Sequence, residues 1–128
     1  MATPDLLSII THDMAASLAF YRLLGMDVPA DADAESHVEV TLPGGFRIAW
    51  DTVAVVRSFD DDWTEPSGGH RMGYAFRCDT PAEVDALHDR VVAAGHPSHK
   101  APWDAFWGQR YAIVVDPDGN PIDLFADV

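Results

Sequence analysis

Trp107-Gly108-Gln109-Arg110-Tyr111-Ala112-Ile113-Val114-Val115-Asp116-Pro117-Asp118-Gly119-Asn120-Pro121-Ile122-Asp123-Leu124 holds two apolar runs of strand length around a turn. Tyr111 to Val115 and Ile122 to Phe125 are the runs, and Asp116-Pro117-Asp118-Gly119-Asn120 joins them. Proline presets one turn dihedral and glycine supplies a positive φ, so the chain is predicted to double back here as a hairpin. Upstream, His96 to Ala101 is predicted as an edge strand, because Pro97 and Pro102 cannot donate to a ladder. Further back, Thr80-Pro81-Ala82-Glu83 is a capping box with proline at the first helical position. Val84, Leu87 and Val91 then line one helix face, Gly95 ends the helix, and Met72 to Cys78 precedes it as a strand.

The same order occurs earlier in the chain. Leu6 to Ile10 is a short apolar run. Asp13 is placed to cap a helix with apolar positions Met14, Leu18, Tyr21 and Leu24, ended by Gly25. Val38 and Val40 alternate with His37, Glu39 and Thr41, the period-two pattern of a half-buried strand. Pro43-Gly44-Gly45 turns the chain into Phe46 to Trp50. Asp13 thus matches Asp79, Gly25 matches Gly95, and Pro43-Gly44-Gly45 matches Pro117-Asp118-Gly119. Each half reads as strand, helix and three strands. The expected organisation is one α+β domain over 1–128, with modules at about 1–56 and 71–128 joined by the polar stretch 57–70.

The 128 residues suit a single core, and a 48% hydrophobic, 23% charged composition is globular. A net charge of −13 repels phosphate backbones, so nucleic acid is not expected as a partner. The same charge would draw in cations, or it serves solubility alone. No apolar run approaches the ~18 residues of a membrane span. With no basic, apolar leader and a single cysteine, Cys78, the expected location is cytoplasmic, away from membranes. Cys78 reads as a small buried hydrophobe. Neither a phosphate-binding glycine loop nor a Ser-His-Asp set is present.

Asp13-Met14-Ala15-Ala16-Ser17-Leu18-Ala19-Phe20-Tyr21, followed by Leu24-Gly25, resembles the first helix of the vicinal oxygen chelate superfamily. That group includes glyoxalase I, extradiol dioxygenases and bleomycin-resistance proteins. The run from Trp107 to Leu124 is similar to the closing hairpin of the bleomycin-resistance branch, whose members bind without a metal. The resemblance, which spans nearly the whole chain, implies two βαβββ modules whose strands curve into a cup. It also implies a homodimer, since relatives build or complete their cups across a two-fold axis. Metalloenzymes of the family place one ligand, usually His or Glu, on each of four strands. Counting from the matched helix starts and turns puts those positions at Leu6, Ala49, Gly73 and Asp123. One carboxylate does not hold a catalytic ion that needs about three protein ligands, so neither a metal nor another cofactor is expected. Metal-dependent glyoxalase or dioxygenase activity is not expected either.

Strand parity sorts the faces. With those four positions on one face, Ser8, Arg47, Asp51, Ala75, Arg77 and Phe125 join them, and so do His37, Glu39 and Thr41. Val38, Val40, Ile48, Trp50, Tyr74, Phe76 and Ile122 face the helices. Trp103, Phe106, Trp107 and Tyr111 cluster in sequence, and Trp63 lies between the modules. Aromatic faces stack on planar ligands and attract cations, although two of these rings would equally serve as plugs. Arg47 and Arg77 either pair with Glu39, Asp51 or Asp123 or clamp an anion. The candidate ligand-binding residues are therefore Glu39, Arg47, Asp51, Trp63, Trp103, Phe106, Trp107 and Asp123. The expected function is non-catalytic sequestration of a small aromatic, cationic natural product, as in antibiotic resistance. The alternatives are a metal-independent isomerase or cyclase using Glu39 or Asp123 as base, or a small-molecule sensor.

Overall fold

The computed structural model describes all residues from Met1 to Val128. The element order is β1 (Leu6–Thr11), α1 (Met14–Leu23), a 3-10 turn (Ala32–Ala34), β2 (His37–Thr41), β3 (Arg47–Thr52) and α2 (Val53–Phe59). Then follow β4 (Tyr74–Arg77), α3 (Pro81–Ala93), β5 (Ser98–Ala105), β6 (Gln109–Val115) and β7 (Pro121–Asp127). The chain forms two compact units, Met1–Arg22 with Met26–Ser67, and Leu23–Gly25 with Gly68–Val128. No helix is long and apolar enough to cross a membrane.

The first unit holds a sheet of order β1-β3-β2, with β1 parallel and β2 antiparallel to β3. The second holds β4-β7-β6-β5, where β4 and β7 are the parallel pair. The α+β class read from the sequence is the class observed. The repeat extends to individual hydrogen bonds. Leu42 N–H donates to the Phe46 carbonyl and Gly45 N–H to Leu42; Asp116 N–H donates to Asn120 and Gly119 N–H to Asp116. Gly45 and Gly119 both take positive φ, 97° and 86°, which a side chain would strain. Helices α1 and α3 each start on a side-chain cap and stop on a six-to-one bond. Ala16 N–H donates to Asp13 Oδ1 at 3.0 Å and Glu83 N–H to Thr80 Oγ1 at 3.2 Å. At the other ends, Met26 N–H reaches the Tyr21 carbonyl and His96 N–H that of Val91, past Gly25 and Gly95.

In the second unit α3 buries Val84, Leu87 and Val91, the predicted stripe, within a core that also holds Ala112, Val114, Ile122 and Leu124. Each of these valine, leucine and isoleucine side chains contributes about 1.5–3 kcal/mol on burial. In the first unit Leu18, Phe20, Tyr21, Ile48 and Trp50 are buried, with the Tyr21 and Trp50 rings edge-on at 5.6 Å. The opposite face of each sheet carries most of the polar and aromatic side chains of the strands, including Glu39, Arg47 and Asp51 in the first unit and Tyr111, Asp123 and Phe125 in the second.

Two features depart from the pattern. In the first unit two strands, not three, follow the helix. Pro29 lacks an N–H, and the Val28 and Pro29 carbonyls are taken by the Arg22 guanidinium at 3.2 and 2.5 Å, which also pairs with Asp33. With its carbonyls satisfied by a side chain, this segment does not need a ladder. The second feature is α2. Val53-Ala54-Val55-Val56 has strand composition, yet Thr52 Oγ1 accepts the Val55 N–H and starts a helix directly from β3.

Candidate functional site

In the first unit, register brings Ser8, Ala49 and Glu39 into one row, and Asp51 and His37 into the next row on the same face. A continuous polar chain results. Ser8 Oγ donates to Asp51 Oδ2 at 2.6 Å, and Asp51 Oδ1 lies 2.5 Å from His37 Nδ1. His37 Nε2 lies 2.8 Å from Glu39 Oε2, Arg47 Nη1 donates to Glu39 Oε1 at 2.9 Å, and Arg47 Nη2 donates to Asp5. Both imidazole nitrogens face carboxylate oxygens, which only accept, so the arrangement favours the ring that donates from both, the imidazolium. The hydrogen bond to Asp51, and then that to Glu39, accordingly raise the His37 pKa. Glu39 is held below its ordinary value, first by the His37 contact and then by Arg47. Glu39, Arg47 and Asp51 are thus brought together, but with their charges already paired to one another, to His37 and to Asp5.

The second unit presents a different surface. Trp103 pairs with Tyr111, Tyr111 with Phe125, and Phe125 with Arg77, so one row crosses all four strands on the face away from α3. The Trp103 and Tyr111 rings meet edge-on at 5.3 Å, and Tyr111 and Phe125 stack at 6.2 Å. Trp107, at the turn between β5 and β6, stands perpendicular to both Tyr111 at 5.3 Å and Trp103 at 6.2 Å. Its indole N–H donates to Gln109, whose amide donates to Asp127, and Asp127 also accepts from Arg77. That relay fixes the ring's orientation although Trp107 is 48% exposed. Two of the protein's own cations lie on ring faces: Arg77 at 4.9 Å from Phe125 and Lys100 Nζ at 3.9 Å from Trp103. Tyr111 Oη donates to Asp123 Oδ2 at 2.6 Å. Burial, reinforced by that bond, pushes the phenol up to about 12.

Trp103, Trp107 and Asp123 therefore share one surface through Tyr111. Phe106 touches Trp107 at 5.0 Å but is 97% exposed at the turn. Trp63 belongs to the first unit and lies under Arg57, whose guanidinium is 5.3 Å from its ring centre. Lys100, Gln109 and Asp5 were not among the sequence candidates. Register shifts on both sides of Lys100 defeat parity counting along β5. Gln109 and Asp5 gave no signal, because their roles depend on strand pairing.

The sequence matches the family model described as the Glyoxalase/Bleomycin resistance protein/Dioxygenase superfamily over residues 3–124. The chain belongs to that superfamily. A glyoxalase/bleomycin resistance protein/dioxygenase family enzyme from Burkholderia phytofirmans PsJN superposes with TM-score 0.83 at 22% identity, covering 99% of this chain and 100% of that one. A glyoxalase-related enzyme from Fulvimarina pelagi gives 0.80 at 22% identity, with 99% and 89% covered. Lactoylglutathione lyase from Agrobacterium tumefaciens gives 0.66 at 20%, with 98% and 94% covered. At these identities the likeness establishes the fold alone. No curated protein matches the sequence.

Leu6, Ala49, Gly73 and Asp123, the positions that the resemblance to the superfamily's metalloenzymes assigns to ligands, do not fit a metal ion. Three of the four offer no donor, and the fourth already accepts the Tyr111 hydroxyl. No group of three or more His, Cys, Asp or Glu side chains is disposed to hold a metal.

Proposed function

We propose that this superfamily member is a binding protein of the metal-free bleomycin-resistance type. It would sequester a small, planar, cationic aromatic compound such as an antibiotic, without turnover. The observation that carries this reading is the Trp103–Tyr111–Phe125 row with Trp107 standing against it. These rings are half-buried or exposed, pre-oriented by their neighbours, and lie on the sheet face away from the helix. Planar ligands gain affinity from rigid aromatic surfaces because little conformational entropy is lost on contact. The cation preference is supported by Arg77 and Lys100, which already exploit the negative ring faces. The charge of −13 adds a long-range attraction of the same sign.

The competing reading, a metal-independent isomerase or cyclase, retains Asp123 as its candidate base. Glu39 is depressed by its two cations and is a weak proton acceptor at neutral pH. Titration with N-methylquinolinium, followed by tryptophan fluorescence, tests the binding reading. Saturable quenching at fixed stoichiometry, with the compound recovered unchanged, supports capture. Conversion of excess compound by catalytic amounts of protein would overturn it.

A further inference from the structure

Lys100 is the single lysine of the chain, and its ammonium sits 3.9 Å from the centre of the Trp103 ring. Its situation differs from that of Arg77 on Phe125. Arg77 is tethered by Asp127 at 3.0 Å, so its guanidinium is held whether or not the ring is covered. The Lys100 ammonium is in no ion pair; the ring face is its identified partner. Asp104, the acidic residue of the same strand, is engaged by Arg110, which also takes Asp85. Lys100 is exposed, on an edge strand, on a flexible four-carbon stem, and can swing into water at little cost.

From this we infer that Lys100 is a built-in competitor for the cation-binding face of Trp103, and so sets the site's selectivity. The inference rests on the aromatic site proposed above and deepens it. In the free protein the ammonium covers the ring face, shields it from water and holds the place a ligand's positive charge would take. An organic cation that delocalises its charge over a flat ring system displaces it, because such a cation is poorly hydrated and adds stacking area to the same electrostatic attraction. A neutral ring gains the stacking alone. A small, strongly hydrated cation gains too little to displace the lysine. The site thereby rejects simple ammonium ions and selects planar ones, by a contact that must be broken rather than one that must be made.

Three probes of the same flat, fused bicyclic shape, N-methylquinolinium, neutral quinoline and anionic 2-naphthoate, test this against the intact wild-type protein, Lys100→Met and Lys100→Arg. Calorimetry and tryptophan quenching supply the affinities. Removing an exposed cation–π competitor should tighten N-methylquinolinium about two- to fivefold in Lys100→Met. Quinoline should tighten less, and Lys100→Arg should bind close to wild type. In wild type, the ring-current-shifted Lys100 side-chain resonances should move to ordinary values as N-methylquinolinium saturates. Wild-type binding of N-methylquinolinium that is unchanged or weakened by Lys100→Met would overturn the competitor role while leaving the binding site standing. Preference for 2-naphthoate, lost in Lys100→Met, would make Lys100 an anion anchor and overturn it likewise. If no probe binds either wild type or Lys100→Met, the aromatic-site reading falls, and the competitor role with it.

Discussion

Nδ1 of His37 lies 2.5 Å from Oδ1 of Asp51, on the face of the first unit's sheet that also carries Ser8 and Glu39. Glu39 on the other nitrogen completes the clamp, and together they make protonation of the ring a structural matter. His37 has its pKa raised above 6.5, so its contribution to stability is full below 6.5 and is lost as pH rises through the folded value. Glu39 has its pKa lowered from 4.5, so its contribution is present above 4.5 and is lost as pH falls through its own folded value. The network is complete between those limits. His37→Gln should destabilise the protein at pH 5.5 and progressively less toward pH 9, by urea midpoint. Solvent reaches nearly half of the imidazole, so the effect should be of the order of 1 kcal/mol or less. A gap that does not narrow with pH would exclude the imidazolium.

Arg22 is the counterpart of a missing strand. Its guanidinium holds the Val28 and Pro29 carbonyls and Asp33 in place, so Arg22→Met should cost roughly 1–2 kcal/mol. Loss of hydrogen-exchange protection should concentrate in 26–36 and spare α3. Uniform loss across the molecule would assign Arg22 a general packing role instead.

Those two sites mark what a linear pattern can carry. The caps at Asp13 and Thr80, the stops at Gly25 and Gly95 and the paired turns are local events, and each was legible from a few neighbouring residues. Parity correctly put Ser8, Glu39, Arg47 and Asp51 on one face, because β1, β2 and β3 run without a bulge. The pairing within that face was open, and Arg47 chose Glu39 and Asp5. Helix α2 is not legible in the sequence because Val53, Val55 and Val56 are β-branched and tertiary context overrides that propensity. Residues 26–36 form no strand because one side chain, Arg22, outcompetes a ladder. Lys100 was invisible because bulges shift its register. Of the expected aromatic site, Trp103 on β5 and Trp107 at the following turn come together, whereas Trp63, in the inter-module stretch, takes Arg57 as its partner.

The donor set predicts that protein dialysed against ordinary buffer carries no stoichiometric zinc, iron, nickel or manganese. Hydrocarbon, methyl and hydrogen side chains at Leu6, Ala49 and Gly73 leave one oxygen ligand where about three are required. Elemental analysis returning one metal per chain, released by Asp123→Ala, would overturn that expectation.

We further expect a homodimer. Strands β1 and β2 in one unit, and β4 and β5 in the other, end their sheets with unpaired backbone edges, which soluble proteins tend to cover. Sedimentation should give twice the chain's 14.0 kDa across a tenfold concentration range. A monomer that persists at the highest concentration would contradict it.

The aromatic row makes the sharpest ordering of variants. Trp103 and Trp107 each contact two or more other rings of the cluster, and both have surface left to offer a ligand. Trp103→Ala and Trp107→Ala should each weaken N-methylquinolinium by roughly 1–3 kcal/mol, the scale for losing a stacked anchor. Because the rings touch, the double variant should cost less than the sum of the singles. Phe106→Ala should matter far less, since that ring is almost wholly in solvent and supports only one edge of Trp107. Gln109→Leu removes the bond that orients the indole while leaving every ring in place, so it should lose part of the Trp107 effect. Glu39→Gln lowers the net negative charge, and its smaller penalty should vanish in high salt. Asp123→Asn should act locally by loosening Tyr111, with little dependence on salt. Should Trp103→Ala and Trp107→Ala together leave affinity unchanged while the protein remains folded, these rings close the sheet face and nothing more. Stoichiometric quenching lost in that double variant and weakened in Gln109→Leu would place the ligand against the row.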